Sequence, residues 1–186
     1  MTAPASRLTV DDRELFVVDD VVSGNRLAHL AMYLDHAPSQ RIESDSADAG
    51  NRSWIVPLET DLVTRQPYHK AMMNAVHDCF PGETLSLKRA YCNVVTFGDV
   101  LLPHRDSRDG RDVTALLFVN DPWERAWGGE TIFFNDAGDA VHAVSPRPGR
   151  MIAFRSIIEH RGNPPSRLCL QSRLTLVLKL RGADSE

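Results

Sequence analysis

Apolar and polar positions follow two periods along this chain, and the change between them falls near residue 84. Before it, two stretches repeat at helical spacing. Residues 24–36, GNRLAHLAMYLDH, place Leu27, Leu30, Ala31 and Leu34 on one face behind Ser23, a residue suited to cap. Residues 67–80, PYHKAMMNAVHDCF, open with proline, fit for a first helical position, and end before Pro81-Gly82. Their face is Ala71, Met72, Ala75, Val76 and Cys79, so the methionines read as core filler. From residue 84 the period becomes that of strands. LSLKRAYCNVV (85–95) alternates, VTALLFV (113–119) is nearly all apolar, and ETIFF, AVHAV, RMIAF and RLTLVLKL follow. Turn signals separate them: FGD, RDG, WGGE, NDAGD, PRPGR and GNPPS. Many short strands at close intervals predict a mainly β protein with N-terminal helices, its core a jelly-roll of about eight strands of the cupin-like, double-stranded β-helix type.

Length and composition change this picture little. The 186 residues suit a single domain, with 1–83 a helical support on the substrate side and 84–181 the jelly-roll core. Net charge is −4, from 21 basic and 25 acidic residues, which offers no basic footprint for nucleic acid. No apolar run approaches membrane-spanning length. The opening MTAPASRLTVDDRELF lacks the basic-then-apolar layout of a secretory signal. Cys79, Cys92 and Cys169 show no CxxC spacing and read as reduced, buried thiols, so a cytoplasmic protein is expected. The Asn51-Arg52-Ser53 sequon then has no meaning.

One triplet carries chemistry. His104-Arg105-Asp106 follows a strand-like run, and residues two apart on an extended chain point to one side. An imidazole and a carboxylate therefore face one point. His160 ends another strand-like segment, IAFRSIIEH. Two imidazoles and one carboxylate form a facial triad that leaves coordination positions open on iron(II). An HxD triplet alone is common by chance. His29, His36, His69 and His77 lie in the helical half without a carboxylate at useful spacing, and His142 is a weaker second candidate.

The surroundings of the triplet resemble the 2-oxoglutarate- and iron(II)-dependent oxygenases, above all their small prolyl-hydroxylase-like branch. NVVTFGDVLLPHRD (93–106) looks like the family's strand, glycine turn and HxD. RDVTALLFVNDPW (111–123) looks like its next strand, WGGETIFF (127–134) like its hairpin entry, and PRPGRMIAFRSIIEH (146–160) like the run to the distal histidine. RLTLVLKL (173–180) looks like the final strand, opened by the co-substrate arginine. The resemblance implies iron(II) on His104, Asp106 and His160, with 2-oxoglutarate as co-substrate, dioxygen as oxidant, and ascorbate as a candidate reductant. Arg173 is favoured for the distal carboxylate, since a guanidinium fork grips a carboxylate bidentately; Arg167 competes. Asn93 stands where nucleic-acid dealkylating relatives carry an asparagine on 2-oxoglutarate, and Tyr91 shares its strand parity. Phe118 replaces a tyrosine of several relatives, so Thr131 or Thr175 is left to supply the missing hydroxyl. Asp106 keeps the carboxylate that halogenating relatives lack, which favours hydroxylation.

Substrate contacts are sought among Arg52, Trp54, Arg89, Arg108 and Trp123, with Arg108 foremost as a grip for an acidic substrate. The expected substrate is a small molecule or amino acid. A protein or peptide prolyl hydroxylase is the second reading and a nucleic-acid demethylase, disfavoured by charge, the third. A catalytically inactive jelly-roll that binds a metal or a small acid is the alternative from another class.

Overall fold

The computed structural model describes residues 5–43 and 52–183, so Asn51 of the sequon lies outside the described residues. Both periodic stretches form helices where expected. Helix α1, Gly24–His36, buries Leu27, Leu30 and Leu34. Ser23 holds its N-cap position in extended backbone, yet its side chain makes no capping hydrogen bond. Helix α3, Pro67–Cys79, begins with proline in its first turn and buries Met72, Ala75, Val76 and Cys79. Between them a single turn, α2, spans Thr60–Val63, too short to show a period.

The strands number eleven among the described residues: β1 Ser6–Val10, β2 Arg13–Val18, β3 Gln40–Glu43, β4 Ser53–Leu58, β5 Leu85–Val95, β6 Val113–Phe118, β7 Thr131–Phe134, β8 Ala140–Val144, β9 Met151–Arg155, β10 Glu159–Gly162 and β11 Arg173–Gly182. They pair antiparallel in a large sheet, β1-β2-β9-β6-β11-β5-β4-β3, and a small one, β10-β7-β8. The chain passes back and forth between the two sheets, which is the jelly-roll expected. Four strands of the large sheet come from the first half, which the spacing analysis reads only as helices. Their signals are weak for physical reasons. The β1–β2 hairpin turns on Asp11-Asp12, both at positive φ (47° and 62°), where Asn-Gly or Asp-Gly would have announced it. Strand β4 contains Pro57, which is tolerated because β3 pairs only with residues 53–55 and leaves that flank open.

Alternation on the central strands sorts side chains into two cores. Leu174, Leu176, Leu178 and Leu180 of β11 pack with Val113, Ala115 and Leu117 against the helices, together with Leu30, Met72 and Phe80. The opposite face packs Val177, Leu116, Phe118, Ile152, Phe133 and Phe154 between the sheets. Strand β6 is buried on both faces, which explains its unbroken apolar run. Phe133 and Phe154 meet edge to face with centroids 5.0 Å apart, and each fully buried side chain contributes roughly 1.5–3 kcal/mol.

The β8–β9 turn is clamped to the chain entering α1. Val21 N–H donates to the Gly149 carbonyl (3.0 Å) and Gly149 N–H to that of Phe118 (3.0 Å). Gly149 has φ +71°, and a Cβ there would stand 2.0 Å from the Val22 carbonyl oxygen. Gly149→Ala is therefore expected to lower stability by at least about 1–3 kcal/mol. Urea denaturation measures this against Gly110→Ala, where no atom lies within 4 Å of the added carbon. Equal midpoints for the two variants would contradict the clamp.

Candidate metal centre

His104 and His160 are brought together by the backbone before their side chains matter. The His104 N–H donates to the His160 carbonyl (3.0 Å) and the His160 N–H to that of His104 (2.9 Å), an isolated antiparallel bridge. The Asp106 N–H donates to the Ser156 carbonyl (2.9 Å), so residues 104–106 run beside the β9–β10 connection as a short extra strand. His160, expected at the end of one long strand, sits instead in β10, after a turn at residues 156–158. Directly bridged residues present their side chains on the same face, and the two imidazole centroids lie 4.6 Å apart.

Hydrogen bonds then fix the rings. His104 Nδ1 lies 3.0 Å from the Leu102 carbonyl and His160 Nδ1 3.0 Å from that of Ile158. A carbonyl only accepts, so each Nδ1 carries a proton, and Nε2 is the nitrogen left to offer a lone pair when the ring is neutral. Both Nε2 atoms point at Asp106: His104 Nε2 is 3.4 Å from Oδ1 and His160 Nε2 is 3.5 Å from Oδ2. One ligand atom from each of the three residues falls within 4.8 Å of the others. Burial pushes the His160 pKa down to about 4, against the pull of Asp106, which keeps the imidazole neutral as a ligand. Burial opposes the charge of Asp106 too, but Lys179, His160 and His104 outweigh it and hold the carboxylate well below its ordinary pKa. A neutral His160 imidazole, a His104 imidazole whose Nε2 faces the same point, and an ionised carboxylate suit a divalent ion.

The carboxylate is steered by residues that sequence reasoning missed. Thr114 Oγ1 donates to Asp106 Oδ2 (2.6 Å) and lies 2.9 Å from Ser156 Oγ. Lys179 Nζ pairs with the same Oδ2. Oδ1, 3.4 Å from His104 Nε2, is thus the oxygen that neither of those two donors occupies. Lys179 had a sequence signal: it is the lone cation in LTLVLKL and, six residues after Arg173, shares its strand face.

These residues wall a cavity of about 420 Å³, which Tyr91, Asn93, Thr131 and Arg173 also line. Arg173 is 2% exposed. Its Nε donates to the Gly129 carbonyl (2.7 Å), its Nη2 to Thr131 Oγ1 (3.1 Å), and its guanidinium lies 5.1 Å from the Phe118 ring centroid. Phe118 thus places a ring under the guanidinium, and the Thr131 hydroxyl accepts from it. Glycines make the space: a Cβ on Gly129 would stand 3.1 Å from Arg173 Cδ, and one on Gly162 3.4 Å from Nη1. Among the described residues no carboxylate lies within ion-pair distance of Arg173, and burial lowers its pKa to about 10 against the weaker pull of Cys92 and Glu130. Thr175, also on its strand face, has a buried Oγ1 with no hydrogen-bond partner. A buried guanidinium without a counter-ion beside an unsatisfied hydroxyl fits a bound acid.

Arg167 is exposed in the loop between β10 and β11, away from the cavity wall. Arg108 is exposed and Trp123 half-buried, and neither lines the cavity; the Trp123 Nε1–H donates to the Gly128 carbonyl (3.0 Å) and its ring packs on Trp127. Arg52 and Trp54 are likewise outside the lining, whereas Arg89 is part of it. His142 is turned away, its Nε2 2.9 Å from the Thr9 carbonyl.

Comparison with known proteins agrees with this geometry. Residues 90–178 match the family model described as the 2OG-Fe(II) oxygenase superfamily, and the matched span contains His104, Asp106, His160 and Arg173. That segment is a 2OG-Fe(II) oxygenase domain, of a family that uses iron(II), 2-oxoglutarate and dioxygen. No curated protein matches the chain in sequence. Among solved structures it resembles a prolyl 4-hydroxylase from Phytophthora capsici (21% identity, TM-score 0.60, 91% of this chain) and spans 59% of that protein's length. It also resembles a Pseudomonas putida prolyl-4-hydroxylase (18%, TM-score 0.60, 91% of this chain and 93% of that one). The non-haem α-ketoglutarate-dependent epimerase SnoN of nogalamycin biosynthesis is a third (19%, TM-score 0.64, 90% and 77%). At these identities the likeness is one of fold.

The Thr114 hydroxyl makes a prediction separate from the ligands. Thr114→Val keeps the shape and removes the donor to Asp106, and is expected to weaken divalent-metal binding about 10- to 100-fold. Anaerobic titration with iron(II) or cobalt(II) measures it, and an unchanged affinity would mean that Thr114 does not orient the carboxylate.

Proposed function

We propose that this chain, whose residues 90–178 form a 2OG-Fe(II) oxygenase domain, is a dioxygenase that hydroxylates an unactivated C–H bond of a small-molecule or amino-acid-type substrate. The observation that carries the reading is one cavity with a metal-ready cluster on one wall and a buried, acid-ready arginine on another. His104, Asp106 and His160 would hold iron(II), which with 2-oxoglutarate and dioxygen supplies the oxidising chemistry and leaves succinate and carbon dioxide, ascorbate serving as external reductant.

The chain's own part is to bind, orient and exclude. Arg173 is positioned to take the distal carboxylate of 2-oxoglutarate through the fork face not used by Gly129 and Thr131. Thr175, Asn93 and Tyr91 would complete that end. Thr114 and Lys179 keep Asp106 ionised and turned toward the histidines. The Phe133 and Phe154 rings, packed against His160, close the back of the site to water. On this reading residues 1–186 act as one oxygenase domain, with 1–83 supporting the substrate side and 84–181 carrying the jelly-roll. Three buried free cysteines support a reducing, cytoplasmic setting; no helix among the described residues is long and apolar enough to cross a membrane. A peptidyl proline is the second reading, favoured by the likeness of residues 111–134 to the prolyl-hydroxylase-like branch.

Anaerobic protein mixed with iron(II) and 2-oxoglutarate is expected to show a weak visible charge-transfer band, absent in His160→Ala and weakened in Arg173→Ala. Exposure to air should then release succinate in proportion to loaded iron. A folded, iron-loaded protein with neither signal would leave the inactive jelly-roll as the correct account.

A further inference from the structure

The loop between β10 and β11 carries apolar residues outward. Leu168 is 64% exposed and Leu170 98%, while Cys169 between them is buried. Hydrogen bonds pin the loop on both sides. Ser166 N–H donates to the Trp127 carbonyl (2.7 Å), Ser166 Oγ to that of Ala126 (3.1 Å), and Cys169 N–H closes a turn on the Ser166 carbonyl (3.0 Å). Gln171 Nε2 donates to the Pro122 carbonyl (3.2 Å), and Asn120 Nδ2 to that of Ser172 (2.9 Å). The two leucines are therefore held away from the body of the protein as an apolar knob, with the exposed Arg167 beside them. A turn tip ordinarily takes Gly, Asn, Asp or Ser. Neighbouring apolar side chains exposed on an ordered segment are instead the mark of a contact surface.

A hollow of matching character lies on the helix side of the large sheet. Helix α1 and the segment from β4 to the start of α3 enclose a cavity of about 520 Å³, larger than the metal cavity. Leu30, Tyr33, Leu58, Leu62, Val63 and Tyr68 give it an apolar lining. Its rim is divided by charge, with Arg26 and His29 on the α1 side and Glu59 on the α2 side. Tyrosine and arginine around an apolar floor is a composition favoured at protein interfaces. Tyr33 is 57% exposed and Leu62 59%, so the hollow stands open and the knob does not enter the hollow of its own chain.

We propose that the Leu168–Leu170 knob of one chain enters the Tyr33–Tyr68 hollow of a second copy, so that the protein assembles through these two surfaces of its own. Charge supports the pairing and sets its direction. Arg167 and Glu59 are both exposed, and among the described residues neither side chain forms an ion pair. Arg167 set against Glu59 stands away from Arg26 on the opposite rim. Knob and hollow are different surfaces, so the contact is heterologous: each copy gives one and receives one. This assembly is independent of the oxygenase reading.

Sedimentation of the full chain over a concentration series tests it. Wild-type protein is expected to form species larger than one chain as its concentration rises to about 1 mM. Leu168→Asp/Leu170→Asp removes the knob and Leu62→Asp blunts the hollow. Each is expected to stay a monomer with a wild-type circular dichroism spectrum, because all three positions are exposed. Mixed, the two variants should form a one-to-one heterodimer, the intact knob of one entering the intact hollow of the other. The charge pair reads the same contact without touching its apolar lining. Arg167→Glu and Glu59→Arg should each weaken self-association about 2- to 5-fold, and the two together in one chain should restore it. Wild-type protein that stays monomeric throughout, a knob or hollow variant that assembles like the wild type, monomeric variants that do not join on mixing, or charge changes without effect would each overturn the proposal.

Discussion

The site depends first on a pair of backbone hydrogen bonds, those joining His104 to His160 (3.0 and 2.9 Å). Fifty-five residues of chain, carrying strands β6 to β9, lie between the two histidines, and the bridge returns them to one point with both rings on one face. Everything that makes the cluster chemically distinctive follows. The Nδ1 protons go to local carbonyls, the Nε2 lone pairs converge, and Asp106, two residues along, is held by Ser156 in the same short strand. Backbone pairing thus places the three ligand atoms within 4.8 Å of one another, where an ion would relieve the mutual repulsion of their lone pairs.

Strand β11 is the second organising element, because its two faces serve different ends. The leucines at 174, 176, 178 and 180 bury themselves against the helices, and this apolar contact fixes the strand's register. The alternate residues Arg173, Thr175, Val177 and Lys179 are thereby forced to the inter-sheet side, where burying a guanidinium and an ammonium is costly unless each meets an anion. Lys179 meets Asp106. Arg173 meets carbonyl and hydroxyl oxygens but no ion-paired carboxylate among the described residues, an imbalance that a bound acid would redress.

Much of this was legible in the sequence, and the gaps have causes. The helices at 24–36 and 67–79 and the later strands stood out because their periods are long and clean. The HxD spacing was readable because an extended chain puts alternate residues on one side. Strands β1 to β4 were hidden by a turn without glycine and by a proline in mid-strand. The support from Thr114 and Ser156 was invisible because it joins residues 42 apart through sheet pairing. Arg108 looked suited to a substrate because it follows the triplet, yet the loop turns it outward. The register shift between Lys179 and Leu180 breaks the alternation of β5 near Lys88, on which sequence reading relies.

The most direct test of the central claim is anomalous diffraction from anaerobic crystals soaked with iron(II) or manganese(II) and 2-oxoglutarate. The account predicts one metal peak within bonding distance of His104 Nε2, His160 Nε2 and an Asp106 oxygen, with density for the acid running from it to the Arg173 guanidinium. A metal bound elsewhere, or an Asp106 still paired only with Lys179 and an Arg173 with no acid beside it, would contradict the account.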